Sequence, residues 1–556
     1  GAGSHSTRPS ARVLSSGRNS DAFLVKFSLR HLQILRALSA TAGGLACLSG
    51  RVEAQATTVV PATQPALFIR EYRVQGSTKL SALEIEEAVY PFLGPGRSVD
   101  DVEQARVALE KAFRDKGFQS VSVLIPNQDP RSGLIRFEVV EGKVGRLRVN
   151  GARYFLPSRI RGEAPSMAEG NVPDFNKVKQ DILALNRNAD RQVVPELKAG
   201  AEPGTIDIDL NVKDQFPLHG SLELNNRYSA NTTEPRLNGA LSYGNLFQLG
   251  HTIGMGFQVA PERADDALVF NGFYQARVSD SLSLMLQGTK QDSDISTLGG
   301  SANVGKGYSF GLRALYDLPT RPGFNQTFSL GLDYKYSNDR SIAGSSPVEY
   351  LPISANYGAS WTTEKTFTEL NGSLNFHLRG LGSDSQEFDS KRYGADGSYI
   401  YLRGDASHTR DLANGSQLFG KIQGQVSNEP LVNTEQFSGG GLGSARGYLE
   451  ATALGDNGLF ATAEFRSPSF IGKKDDQGKQ ADEWRIHAFV DGGTVTVLKP
   501  LPAQHSYFNF LSAGAGTRFR FRNHYNGSLD LAVPFTTQDH ADAGDIRITF
   551  RGWTEF

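Results

Sequence analysis

Thr327-Phe328-Ser329-Leu330-Gly331-Leu332-Asp333-Tyr334-Lys335-Tyr336 reads as a strand with two unlike faces. Phe328, Leu330, Leu332, Tyr334 and Tyr336 point one way, while Thr327, Ser329, Asp333 and Lys335 point the other. A period of two is the mark of an extended chain half in an apolar medium. A water-soluble sandwich would give the same alternation, so the number and length of such segments must decide. From about residue 216 to the end the pattern recurs in runs of roughly ten residues, separated by Gly, Asn, Asp and Ser turns. The runs begin at 219–229 and finish at 545–556, where Ile546, Ile548, Phe550 and Phe556 oppose Arg547, Thr549, Arg551 and Glu555. There are about sixteen of them, an even number, and many exceed the roughly 5–6 residues of a globular strand. A tilted strand of about 9–11 residues crosses a bilayer, and only a closed barrel does so without a bare edge. The expected fold is a transmembrane β-barrel of about sixteen antiparallel strands over residues 216–556.

The bulk properties agree once alternation is allowed for. The chain has 556 residues with 39% hydrophobic and 21% charged, and a net charge of −1 from 58 basic and 59 acidic side chains. That balance excludes nucleic acid as a charge-driven partner. Mean hydropathy is −0.35, and no apolar run approaches the roughly 18 residues of a membrane helix. Barrel strands dilute their apolar residues by alternation, so a hydrophilic average does not oppose membrane residence.

Residues 1–56 read as an N-terminal remnant plus a signal peptide. Gly1-Ala2-Gly3-Ser4-His5-Ser6 lacks an initiator Met. Lys26, Arg30 and Arg36 precede the weakly apolar stretch 37–50 and the Ala54-Gln55-Ala56 site. A basic region, a short apolar region and an A-x-A site are what a secretory leader requires. The sole cysteine, Cys47, falls inside it, so cleavage would leave no thiol for disulfide, Cys-zinc or nucleophilic chemistry. Residues 57–66 form a Pro/Thr linker.

Two small α/β repeats follow, at 67–142 and 143–215. In the first, 68–74 is strand-like, and Ser81 with Glu84 spells a capping box ahead of Ile85, Ala88, Val89 and Phe92. Ser98 opens a second helix with Val102, Ala105, Leu109, Ala112 and Phe113 on one face, and Gly117 suits its C-terminus. Alternating strands run through Val121, Val123 and Ile125, then Ile135, Phe137 and Val139. The second repeat is weaker: a strand at Leu147–Val149, a helix carrying Phe175, Val178, Ile182 and Leu185, and two strands ending at 206–212.

Three separated motifs carry a family resemblance. Asn186-Arg187-Asn188-Ala189-Asp190-Arg191, with Leu197, Gly200, Gly204 and Asp207, resembles the second POTRA signature of the TpsB transporters of two-partner secretion. Ala189 stands where that family often has Pro. Gly439-Gly440-Gly441 followed by Arg446-Gly447-Tyr448 resembles the tip of the long loop that folds back into the barrel. Phe489-Val490-Asp491-Gly492-Gly493 resembles the strand that receives this tip. Alternation by itself puts Arg485, His487, Phe489 and Asp491 in the lumen, with Ile486, Ala488 and Val490 toward lipid, and Glu464 one strand earlier also falls inside. An arginine carried into a partly desolvated lumen needs an acidic partner. Asp491 is the expected one, with Glu464 as the alternative. The terminal Phe556 resembles the signal read by the barrel-assembly machinery.

The resemblance runs from about residue 66 to the end. It implies two periplasmic POTRA domains before the barrel, the superfamily of the BamA insertase, and an outer-membrane pore for an unfolded exoprotein. Outer-membrane lipid would surround the barrel, and the passenger would be a large β-helical exoprotein. No cofactor, metal or nucleotide is implied. TpsB proteins often carry a plug helix ahead of the first repeat. About ten residues after the expected cleavage site are too few for one of roughly twenty, so closure by the loop bearing Arg446 is expected. The alternatives are an assembly factor of the same superfamily and a passive diffusion porin.

Other motifs fail on chemistry. Gly300 to Gly307 nearly spells a phosphate loop, but Gly307 replaces the Ser/Thr that binds magnesium and a strand follows. The histidines His219, His251, His377, His408, His487, His505, His524 and His540 show no ligand spacing. No G-x-S-x-G elbow lies on a strand-to-helix turn, which leaves a hydrolase without a motif.

Overall fold

The structure, a computed structural model, describes residues 66–293, 295–297, 303–341, 344–472 and 481–556. The expected leader, Cys47 and most of the linker lie outside these residues, as do positions 300–302 of the near-phosphate loop. The chain divides into two compact units, with the boundary between Phe216 and Pro217.

Among the described residues, seventeen strand stretches close into one antiparallel barrel. Two of them, Gly344–Tyr350 and Ile353–Thr362, pair with successive halves of the same neighbour, Phe324–Ser341. Pro352 lies between them and has no N–H for the ladder. They are one interrupted strand, so seventeen stretches make sixteen strands. In chain order these are β1 Leu218–Asn225, β2 Arg236–Leu246, β3 His251–Val259, β4 Leu268–Arg277 and β5 Leu282–Gln291. Next come β6 Gly307–Asp317, β7 Phe324–Ser341, the interrupted β8, β9 Thr366–His377 and β10 Tyr399–Asp411. Then follow β11 Gln417–Ser427, β12 Asn457–Arg466, β13 Glu483–Thr496, β14 Tyr507–Phe521, β15 Tyr525–Pro534 and β16 Arg547–Glu555. β16 closes on β1 from Arg551 opposite Asn225 to Glu555 opposite Ser221.

The alternation of the sequence becomes an outside and an inside. On β7, Phe328, Leu330 and Leu332 are exposed outward, as a lipid-facing band requires. Asp333 is buried inward, where Arg313 of β6 donates to it at 2.7 and 3.0 Å and to Ser354 Oγ at 2.8 Å. Apart from the connection 467–482, turns at the end where β1 begins are short, as at 247–250, 278–281 and 363–365, while the opposite end carries the long loops 378–398 and 428–456. In outer-membrane barrels the short turns face the periplasm.

The other unit holds the two α/β repeats. In the first, Glu71–Gln75 runs parallel to Leu134–Glu141, which pairs antiparallel with Val121–Leu124. Ser81 and Glu84 close the capping box of helix Ala82–Val89, and Ser98 with Asp101 closes another at Val99–Asp115. The second helix buries Val102, Ala105, Leu109 and Phe113 against Val123, Ile135 and Phe137. The stretch expected as a single strand at 68–74 is split: Leu67–Ile69 pairs instead with Gly94–Arg97, and the chain resumes the sheet at Glu71. The second repeat orders Lys143–Asn150, Thr205–Asp214 and Arg191–Ala199 in one sheet. It also contains a short helix, Pro157–Gly162, ahead of Phe175–Leu185. Six residues with two arginines carry too little apolar periodicity to be read from sequence.

Candidate functional site

The loop between β11 and β12, residues 428–456, turns back into the lumen. A glycine run starts the turn: Gly440 and Gly441 have φ of +98° and +91°, a region that favours glycine. Gly441 N–H donates to the Ala445 carbonyl at 3.1 Å and Tyr448 N–H to the same oxygen at 3.2 Å, which folds the tip into a compact knob.

Arg446 lies at the end of the knob and is 5% exposed. Its Nε donates to Asp491 Oδ2 at 2.8 Å and its Nη2 to Asp491 Oδ1 at 2.9 Å, while its backbone N–H reaches Oδ2 at 3.1 Å. Nη1 donates to Glu464 Oε2 at 2.7 Å. Both carboxylates expected as alternatives are therefore engaged at once. The guanidinium carbon lies 3.3 Å from the centroid of the Phe489 ring, a stacked cation–π contact. Register explains the convergence. Glu464 on β12 is directly opposite Phe489 on β13, and Asp491 is opposite Ser512 on β14. The lumen face of two adjacent strands, β12 and β13, thus offers two acids and a ring at one level, with Ser512 of β14 beside them.

The other motif residues close the contact. Gly447 N–H donates to Ser512 Oγ at 3.3 Å, and a Cβ there would meet Ser512 Cβ at 2.8 Å and the Pro534 nitrogen at 2.9 Å. Tyr448 is fully buried, its hydroxyl bonded to Leu511 O at 3.1 Å and Thr536 O at 2.7 Å. Its ring meets Phe510 edge-on at 4.9 Å, within a cluster that holds Phe437, Ala445, Ala453 and Phe460. A Cβ at Gly493 would collide with the Leu459 carbonyl and the Phe460 ring.

Charge around Arg446 is balanced by an extended network. Glu464 also takes Arg466 at 2.7 Å and Arg518 at 3.2 Å. Asp530 of β15 lies 3.8 Å from Arg446 Nη1 and 2.6 Å from His487 Nε2. Such pairing is what makes burial of the arginine tolerable.

The motif residues of the second repeat belong to the other compact unit and tie its helix end, strands and turn together. Asn186 bonds Val193 through both its amide atoms, at 2.9 and 2.6 Å. Asp190 accepts from the Gln215 side chain at 2.8 Å. Arg191 donates to the Leu185 carbonyl at 3.1 and 2.9 Å and to Glu163 at 2.7 Å, with its guanidinium over the Phe155 ring. Gly204 has φ +78° in the turn before Thr205–Asp214, Asp207 stands 3.9 Å from Arg146, and Arg187 follows the helix end. Phe556 exchanges both backbone hydrogen bonds with Gly220, at 3.0 and 3.1 Å, and its ring lies over that glycine.

Two anchors of the loop carry no sequence signal that singles them out. Glu450 pairs with Arg227, just beyond β1, at 2.7 Å, both side chains 3% exposed. Glu435 accepts from Lys335 of β7 at 2.6 Å. Each partner lies 100 or more residues away in sequence, and neither acid belongs to a periodic stretch. Among the described residues, no group of three or more His, Cys, Asp or Glu is arranged to hold a metal.

A sixteen-stranded antiparallel barrel, preceded by two α/β repeats and holding a long loop anchored to its inner wall, defines a POTRA-barrel protein of the outer membrane, with its repeats in the periplasm. Residues 204–519 match the model of the family described as haemolysin secretion/activation protein ShlB/FhaC/HecB, and residues 67–142 match the POTRA domain, ShlB-type. The chain belongs to the haemolysin secretion/activation protein family. It is 21% identical to the outer membrane transporter CdiB of Dickeya dadantii over 71% of this chain and 71% of that one. It is 24% identical to the outer membrane transporter CdiB of Escherichia coli over 88% of this chain and 82% of the relative. The solved structure of CdiB from Escherichia coli superposes with a TM-score of 0.62 at 19% identity, covering 90% of this chain and 92% of that one. These relatives are transporters.

Proposed function

We propose that the protein moves an unfolded exoprotein partner from the periplasm to the cell surface through the barrel lumen, as the transporter half of a two-partner system. The observation that carries this reading is the latched loop inside a barrel whose chain also bears periplasmic POTRA repeats. A passive porin has no use for either. The POTRA repeats would receive the passenger by strand addition to an open sheet edge. Val121–Leu124 is an edge strand, paired within its sheet by Leu134–Glu141 alone; an added strand would displace Glu110 and Arg106, which bond the Val123 N–H and carbonyl at 3.1 and 3.4 Å. Arg191–Ala199 is less suited, because Pro195 removes a donor from it. No nucleotide site enters the mechanism, so folding of the passenger outside would bias the transit. Arg446, held by Asp491 and Glu464 over Phe489, would fix the loop that gates the lumen, and Phe556 at the β16–β1 seam would serve recognition by the assembly machinery. The test is co-expression with a large β-helical exoprotein encoded beside this chain. The exoprotein should reach the medium or cell surface with the transporter and stay in the periplasm without it. Equal export in its absence would overturn the assignment.

A further inference from the structure

Besides its tip and the Glu450–Arg227 pair, loop 428–456 is tied to the barrel wall in its first limb, at Glu435, which is 1% exposed. Oε1 accepts from Lys335 Nζ at 2.6 Å and from the Tyr350 hydroxyl at 2.7 Å, and Oε2 accepts from the Tyr401 hydroxyl at 2.7 Å. These donors stand on β7, on the first stretch of β8 and on β10. The tip is held by β12, β13 and β14. The Glu435 and tip attachments are therefore on two separate arcs of the wall.

The Glu435 attachment is at the long-loop end of the lumen. Tyr401 lies near the start of β10, just after loop 378–398, and Tyr350, at the break in β8, bridges to Gly382 of that same loop. Just before Glu435, Leu431 and Val432 are buried with Tyr350, Tyr401 and Phe388. Phe388 belongs to helix Ser385–Lys391 in the loop between β9 and β10. Asp456, where loop 428–456 ends, accepts from Leu431 N–H and Leu498 N–H, both at 2.7 Å, and from Arg392 at 3.4 Å. Three outer loops thus share one small roof, and Glu435 pins that roof to the wall beneath.

The two attachments differ in chemistry. The tip is embedded in an aromatic cluster around Tyr448, and its release would expose apolar surface to water, which is unfavourable. Glu435 itself is held by polar, charge-assisted bonds, and the Leu431 and Val432 beside it pack in an apolar cluster separate from that of the tip, so neither attachment shares its packing with the other. A chain leaving through the long-loop end would meet this roof. We propose that Glu435 is a positioning residue for translocation, a second latch that with Lys335, Tyr350 and Tyr401 holds the outer roof shut and releases independently of Arg446. The proposal rests on the transporter reading, but its test does not.

Purified full-length Glu435→Gln and Lys335→Met proteins are compared with wild type in planar lipid bilayers. Each should raise the fraction of time spent open about tenfold, the factor that corresponds to roughly 1.4 kcal/mol. The double variant should open no further than either single one, because both break the same latch. Lys335→Arg, which keeps the cation, should stay as closed as wild type. Heat-modifiability on gels checks that each barrel is folded, and sensitivity of expressing cells to a large glycopeptide antibiotic gives a second readout of opening. Closed behaviour of folded Glu435→Gln, or opening by Glu435→Gln with Lys335→Met unchanged, would overturn the latch. Passenger export by the wild type judges the transport reading separately.

Discussion

At Arg446 a single side chain satisfies two carboxylates and covers an aromatic ring. Removing one member of a buried pair leaves the other charge uncompensated, at a cost of about 3–5 kcal/mol. Lumen water softens that figure, so the expected defect is a mispositioned loop rather than an unfolded barrel. Arg446→Ala and Asp491→Ala should each lower passenger export several-fold, measured with expression level confirmed. The double variant should lose less than the two single losses combined, since the residues act as a unit. Export at wild-type level in Arg446→Ala would refute the role. Asp491, Phe489 and Glu464 are legible in sequence because strand alternation fixes which side chains face the lumen, and the Arg-Gly-Tyr motif supplies the visitor. Glu435 and Glu450 are not, because a loop has no period and their partners are set by closure of the barrel.

Elements show the same division between local and long-range information. The barrel strands are readable because a two-residue period and turn residues act within ten positions. The break at Pro352 in β8 is local too, but that β7 pairs with both halves is a matter of barrel register. In the POTRA unit the capping boxes are legible from Ser81 and Glu84, whereas the Gly94–Arg97 strand exists only through its pairing with Leu67–Ile69. Glu84 also bonds Lys116 at 2.7 Å, and this contact together with the Ser81 amide and hydroxyl draws its carboxyl pKa down to about 2. A depressed pKa contributes stability that is complete above the unfolded value and fades as pH falls toward the folded one. We propose that fragment 67–214 folds alone. Its thermal midpoint should then exceed that of the Glu84→Gln fragment at about pH 6, with the gap narrowing by about pH 3. A gap independent of pH would show that the carboxylate is not the source. In the second repeat, Arg191→Ala frees the Leu185 carbonyl and strips the cover from Phe155. Loss of charge-assisted bonds of this kind costs about 1.5–3 kcal/mol, so circular dichroism should record a midpoint lower by several degrees.

For the whole molecule, the two compact units imply a division of labour that can be cut with one deletion. The barrel's ladder closes on itself through β1 and β16, from Asn225 opposite Arg551 to Ser221 opposite Glu555. Among the described residues every barrel strand has a barrel neighbour on both sides, except that the first stretch of β8, Gly344–Tyr350, is laddered to β7 alone. Its backbone hydrogen bonding therefore does not call on the POTRA unit, and the lumen network around Arg446 draws every partner from barrel residues. Deleting 67–214 should accordingly leave a barrel that inserts in the outer membrane and shifts on gels when heated. If the POTRA repeats receive the passenger, that barrel should export none of it, and the passenger should accumulate in the periplasm. Undiminished export would remove the receptor role from the repeats. Loss of the barrel itself would instead show that its assembly depends on the POTRA unit, a dependence that the self-contained ladder argues against.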